Sequence, residues 1–177
     1  MNCVQRMTDA ADEGVTFIEL ILYMIIGSLV ASVIVMVLVN TFHAQSDVVT
    51  ETSATTRGQL VASTLERSMR NALAYSVSSD GTTLMVRTSL DNYLVCQGFA
   101  LTTTGGARFI QTSSSLPSSS TWPVWQTGVT LHGSTPFMTQ TLNGVSYSFD
   151  LKTNGSPVHI AGTTTARNLT GVTSPCW

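Results

Sequence analysis

Charge is what this sequence lacks most. Charged residues make up 10% of its 177 positions, and eight Lys+Arg against ten Asp+Glu leave a net charge of −2. A nucleic-acid binder needs a basic face to neutralise phosphates, so that class is excluded as an expectation, and direct nucleic-acid binding is not predicted. An acidic disordered tail is excluded by the same arithmetic. Lysine occurs once, at Lys152, and the first proline is Pro117. Catalytic signatures are missing as well. The chain has no Gly-x-Ser-x-Gly elbow and no phosphate-binding loop, and His43, His132 and His159 lie far apart with no metal-ligand spacing. The expectation is a protein that is not an enzyme and carries no metal or cofactor. Roughly a quarter of the chain is Ser or Thr, so hydroxyls rather than charges face the solvent.

The apolar residues are concentrated in one place. Leu20 to Val39 reads LILYMIIGSLVASVIVMVLV, without charge or proline. About 20 such residues form a helix that spans the ~30 Å of bilayer hydrocarbon. A cleavable secretory signal has a shorter apolar region, a basic start and a small-x-small cleavage site. Here Arg6 is set against Asp9, Asp12 and Glu13, and Phe42-His43-Ala44 follows the run. A single membrane anchor fits better.

Glu19 sits at the lip of that run, in Gly14-Val15-Thr16-Phe17-Ile18-Glu19-Leu20. Taken alone, it marks the membrane boundary or needs a partner inside the apolar phase. The whole segment resembles the class III signal of type IV pilins and type II secretion pseudopilins, whose pattern is Gly, Phe, Thr, Leu, Ile, Glu, Leu before a long apolar helix. The resemblance covers about the first thirty residues. Val15 stands where that family usually has Phe, the leader is acidic where Lys or Arg is common, and Met36 replaces the proline of many major pilins.

The resemblance implies that a prepilin peptidase removes residues 1–14 by cutting between Gly14 and Val15, and that Val15 is then N-methylated. It further implies assembly through the apolar helix, with other pilin subunits and an inner-membrane assembly platform as partners. The chain would be a single-pass protein of the cytoplasmic membrane before assembly and a cell-surface filament component afterwards. In a helix, Glu19 lies just over one turn from Val15. Its carboxylate benefits from the helix N-terminal dipole and can meet the Val15 amine of a neighbouring chain. The missing proline and the SDGTTLMVRT segment lean toward a minor subunit. The alternative is a single-pass, membrane-anchored surface binding module that never polymerises.

Beyond the span, Val61, Leu65, Met69 and Leu73 recur every four residues, with Leu60 and Ala72 widening the stripe. That is one face of an amphipathic helix. The expected helix runs over 15–75, with about 20–39 in the membrane. From Ser76 the period changes to two. Asp80-Gly81, Asp91-Asn92, Gly105-Gly106, Asn143-Gly144 and Asn154-Gly155 punctuate TTLMVRTSL, YLVCQGFALT, ARFIQT and VSYSFDLK. Such alternation with turn dipeptides predicts an antiparallel sheet of hairpins over 76–177, which the resemblance places outside the cytoplasm. The fold class is therefore α+β, a long N-terminal helix packed on an antiparallel sheet in a pilin-like arrangement. Ser113 to Thr121 reads as a loop.

Cys3 falls in the expected leader. Cys96 and Cys176 remain, and an even count outside the cytoplasm predicts one disulfide tying the penultimate residue to a strand. Trp122 and Trp125 flank Pro123 and read as core or loop anchors in preference to an exposed contact patch. Asn154-Gly-Ser and Asn168-Leu-Thr match a glycosylation pattern that Thr-rich chains produce by chance.

Overall fold

The computed structural model describes residues 16–90, 93–167, 169 and 176–177. The expected cleavage pair Gly14–Val15, Cys3 and Asn168 lie outside them. The chain falls into two compact units that meet between Gln45 and Ser46.

Helix α1 is Phe17–Arg70. It contains no proline, and its ends complement the helix dipole, with Glu19 in the first turn and Arg67 and Arg70 in the last. In the first unit, the helix buries none of its apolar window. It is long and apolar enough to cross a membrane once. Its hydroxyls suit that setting. Ser28 donates to the Ile25 carbonyl, Ser32 to that of Ser28 and Thr41 to that of Val37, each at 2.8 Å. A hydroxyl bonded to its own helix exposes little unsatisfied polarity to lipid.

In the second unit, α1 buries Ala54, Gly58, Val61, Ala62, Leu65, Ser68 and Met69. Fully burying each large member stabilises the unit by about 1.5–3 kcal/mol. Leu60 was expected on this face and is instead 45% exposed. At about 100° per residue it lies roughly 140° from the centre of the buried stripe. The helix also stops before the expected Tyr75. Asn71 closes it, its Nδ2 donating to the Arg67 carbonyl at 2.8 Å, and Ala72 and Leu73 belong to the first strand. A side-chain amide that captures a terminal carbonyl ends a helix. The chain then gains a strand ladder in place of one more helical turn.

Strands β1 (Ala72–Val77), β2 (Thr83–Leu90), β3 (Tyr93–Thr102), β4 (Gly106–Thr112) and β5 (Val124–Thr127) form an antiparallel meander in that order. A second sheet contains β6 (Val129–Thr130), β7 (Met138–Gln140), β8 (Gly144–Leu151) and β9 (Val158–Thr165). Strand β8 is its hub. β9 pairs along the whole of β8, β7 pairs with Val145–Tyr147, and β6 pairs with Asp150–Leu151. Alternation sets the faces of β8: Val145, Tyr147, Phe149 and Leu151 are buried, while Ser146, Ser148 and Asp150 are partly exposed. The result is an α+β fold with the amphipathic half of α1 on antiparallel sheet structure, its core joining Leu65 and Met69 to Val86, Phe99, Phe149 and Leu151.

Gly58 is a point of close approach between α1 and the second sheet. A Cβ there would stand 2.6 Å from Leu151 Cδ1 and 2.8 Å from Ile160 Cγ1, so a larger residue would force those side chains to shift.

Candidate functional site

Glu19 occupies the first turn of α1 and is half-buried by its own helix. Tyr23, four residues on, donates its hydroxyl hydrogen to Glu19 Oε1 at 2.9 Å. Residues at i and i+4 share a helix face, so this partner follows from spacing alone. Every residue from Leu20 to Val49 is exposed. This first unit therefore presents a long apolar surface with one carboxylate and one phenol at its start. Contiguous exposed apolar surface on this scale marks a membrane or protein contact.

The second unit is tied by three polar devices. The Tyr147 hydroxyl donates to Glu66 Oε1 at 2.7 Å, joining α1 to β8, and Arg70 pairs with the other oxygen of Glu66 at 2.7 Å. Burial, then the bond to Glu66, pushes the Tyr147 hydroxyl well above the usual tyrosine range. The second device is the turn between β1 and β2, where Asp80 accepts from Ser78 Oγ, from Thr82 N at 3.1 Å and from Thr82 Oγ1 at 2.8 Å.

The third is the Cys96–Cys176 disulfide, formed as expected with its Cα atoms 5.5 Å apart. It pins the penultimate residue to β3, the central strand of the meander. The Ser-rich loop crosses the same face. Leu116 N donates to the Cys176 carbonyl at 2.8 Å, and the Trp122 indole occupies the space above Gly98 with its Nε1 donating to Pro117 O at 2.9 Å. Trp122 is 2% exposed and Trp125 packs on the core, 5.3 Å from Phe109, so both are anchors rather than a contact patch.

One cluster departs from the sequence expectation. His132 and His159, far apart in the chain, lie against each other with ring centroids 3.9 Å apart and planes tilted by 39°. Both point Nδ1 at Asp150: His132 at 3.0 Å and His159 at 2.8 Å from Oδ1. Asp150 and His159 stand directly opposite each other on β8 and β9. Their positions are equidistant from the Asn154-Gly155 turn, which was the available signal for this pair. His132 follows the two-residue strand β6, whose Thr130 pairs with Asp150, and no sequence pattern announced it. His43 lies in the first unit.

No protein-family model, curated protein or solved structure matches the chain.

Proposed function

We propose that this chain is a structural subunit of the pilin kind, a minor pilin or pseudopilin that assembles through its apolar helix into a type IV pilus-like filament or a secretion pseudopilus. The observation that carries the proposal is the wholly exposed apolar half of α1, with Glu19 at its start and a disulfide-bonded α+β unit after it. An anchor alone needs the length and apolarity. It does not need a carboxylate at the fifth position after Gly14 in a Gly-Val-Thr pattern.

In this reading, the precursor and subunit pool sit in the cytoplasmic membrane and the filament forms on the outer side. Cleavage after Gly14 exposes a positive amine at Val15. In a bundle of parallel helices, Glu19 of one subunit meets that amine on the next. Both groups are already out of water, so removing one leaves a charge unpaired at a cost of about 3–5 kcal/mol. The pair fixes the axial register of neighbouring subunits, and an uncleaved chain has no amine to offer. The Ser- and Thr-rich outer unit then forms the exposed surface.

Mass spectrometry of the mature N-terminus tests the assignment. A chain beginning at N-methylated Val15 is the expected result, and a Gly14→Val variant retains its leader. An intact leader on the wild-type protein in its native cell would sink the proposal.

A further inference from the structure

We infer that His132, Asp150 and His159 form a binding site for a divalent cation of the zinc type on the exposed face of the second sheet. The inference is independent of the filament reading. The donors come from three places in the fold. Asp150 lies on β8, His159 faces it on β9, and His132 follows β6, which pairs with β8 on its other edge. Ladder register thus brings all three to one spot. Their side chains leave on the face opposite the core, because Phe149 and Leu151 on either side of Asp150 point inward.

The distances suit a small ion. Each residue offers a ligand atom, and the three atoms lie within 4.8 Å of one another. Two sides of the triangle measure 3.0 and 2.8 Å, both at Asp150 Oδ1. A tetrahedral ion with bonds of about 2.0–2.1 Å needs donor atoms about 3.3 Å apart. Reaching that span means opening these two sides by about 0.3 and 0.5 Å and setting the third, which is no longer than 4.8 Å, by rotating the imidazoles about χ1 and χ2. Both rings have room for that, since the His132 and His159 side chains are 50% and 42% exposed. Asp150 is the anchor at 14%. The loop carrying His132 is held by Thr135 N donating to the His132 carbonyl at 3.0 Å, with Gly133 in the left-handed region at φ 56°.

The donor set selects the ion. Two imidazoles and one carboxylate suit zinc and its first-row neighbours, whereas calcium and magnesium favour all-oxygen shells. Three protein ligands leave a fourth position open to solvent, where water completes the tetrahedron.

The test uses the full-length, disulfide-intact chain in detergent micelles, without a histidine tag, titrated calorimetrically with zinc chloride. One equivalent is expected to bind saturably. Losing an outer-shell partner of a metal ligand costs about 10–100-fold in affinity, so loss of a direct ligand in His159→Ala or Asp150→Asn should weaken binding at least tenfold. His132→Ala/His159→Ala should abolish binding, and His43→Ala should leave it unchanged. X-ray absorption of the wild-type chain with one equivalent of zinc should report two imidazole ligands, a readout that does not depend on any variant folding. Absence of saturable binding, binding that survives in the double variant, or a zinc shell without imidazole would each overturn the site.

Discussion

Tyr23 and Glu19 are bonded to each other across one turn of the same helix, hydroxyl to carboxylate, at 2.9 Å. The carboxylate at the apolar lip therefore has a donor within its own chain. The single chain can therefore carry Glu19 without a neighbour. Under the proposed function, assembly would have to offer it something stronger than a phenol, and the Val15 amine of an adjacent chain would be a charged donor.

Glu19→Ala should leave cleavage intact and reduce incorporation into filaments by more than about a hundredfold, from a cost of about 3–5 kcal/mol at 1.4 kcal/mol per decade. Tyr23→Phe removes only the intrachain donor and should incorporate at least as well as wild type. The measurement is the ratio of processed protein in sheared surface filaments to that in the membrane. Equal ratios for wild type and Glu19→Ala would reduce Glu19 to a boundary residue.

Cys96 and Cys176 should resist thiol labelling in purified protein until a reductant is added. Cys176→Ser should lower stability by about 2–5 kcal/mol, read as an earlier midpoint in urea. Its effect should be largest at the Ser-rich loop, because Leu116 N then loses a fixed acceptor. Ready labelling without reductant would exclude the bridge.

The bond from Ser78, followed by those from Thr82, holds the Asp80 carboxyl below the ordinary carboxylate range. A carboxyl depressed in the folded state adds stability above its unfolded value, about pH 4, and loses it as pH falls through the lower folded value. The stability gap between wild type and Asp80→Asn should therefore be widest near neutrality and narrow in acid. Urea titrations of both proteins across that range measure it, and a gap that ignores pH would count against the turn.

Gly98→Ala should destabilise the second unit by about 1–3 kcal/mol, since a Cβ at that point overlaps the Trp122 indole. The indole must then lift from β3, which shifts tryptophan emission toward that of a wetter ring. Unchanged emission together with unchanged stability would show that the loop does not rest on this contact.

The sequence disclosed those elements whose own residues carry a long, regular signal. The apolar run, and strands β2, β3, β4 and β8 with their turn dipeptides, are legible because alternation over seven or more residues has few other readings. Strand β1 was hidden because Ala72-Leu73-Ala74 continues a helical stripe, and only pairing with β2 draws it out of the helix. Strands β5, β6 and β7 span four, two and three residues, too short for any period to show. Glu19 stood out by its motif, whereas its bond to Tyr23 was missed although the i+4 spacing was there to read. The histidine pair was not, because a two-residue strand gives His132 its place, and that pairing is tertiary.

The bridge between Cys96 and Cys176 also sets how the second unit answers a pull. Consider tension applied between Ser46 and Trp177. With the bridge closed, only the stretch up to Cys96 can be drawn out, roughly 170 Å at about 3.4 Å per residue, before covalent bonds take the load. With it open, the extensible length grows to roughly 450 Å. Everything from β4 to β9 lies inside the closed loop, including His132, Asp150 and His159. The bridge thus acts as a mechanical bypass: under such tension the second unit can surrender its helix, β1 and β2 while β4 to β9 carry no force along the chain.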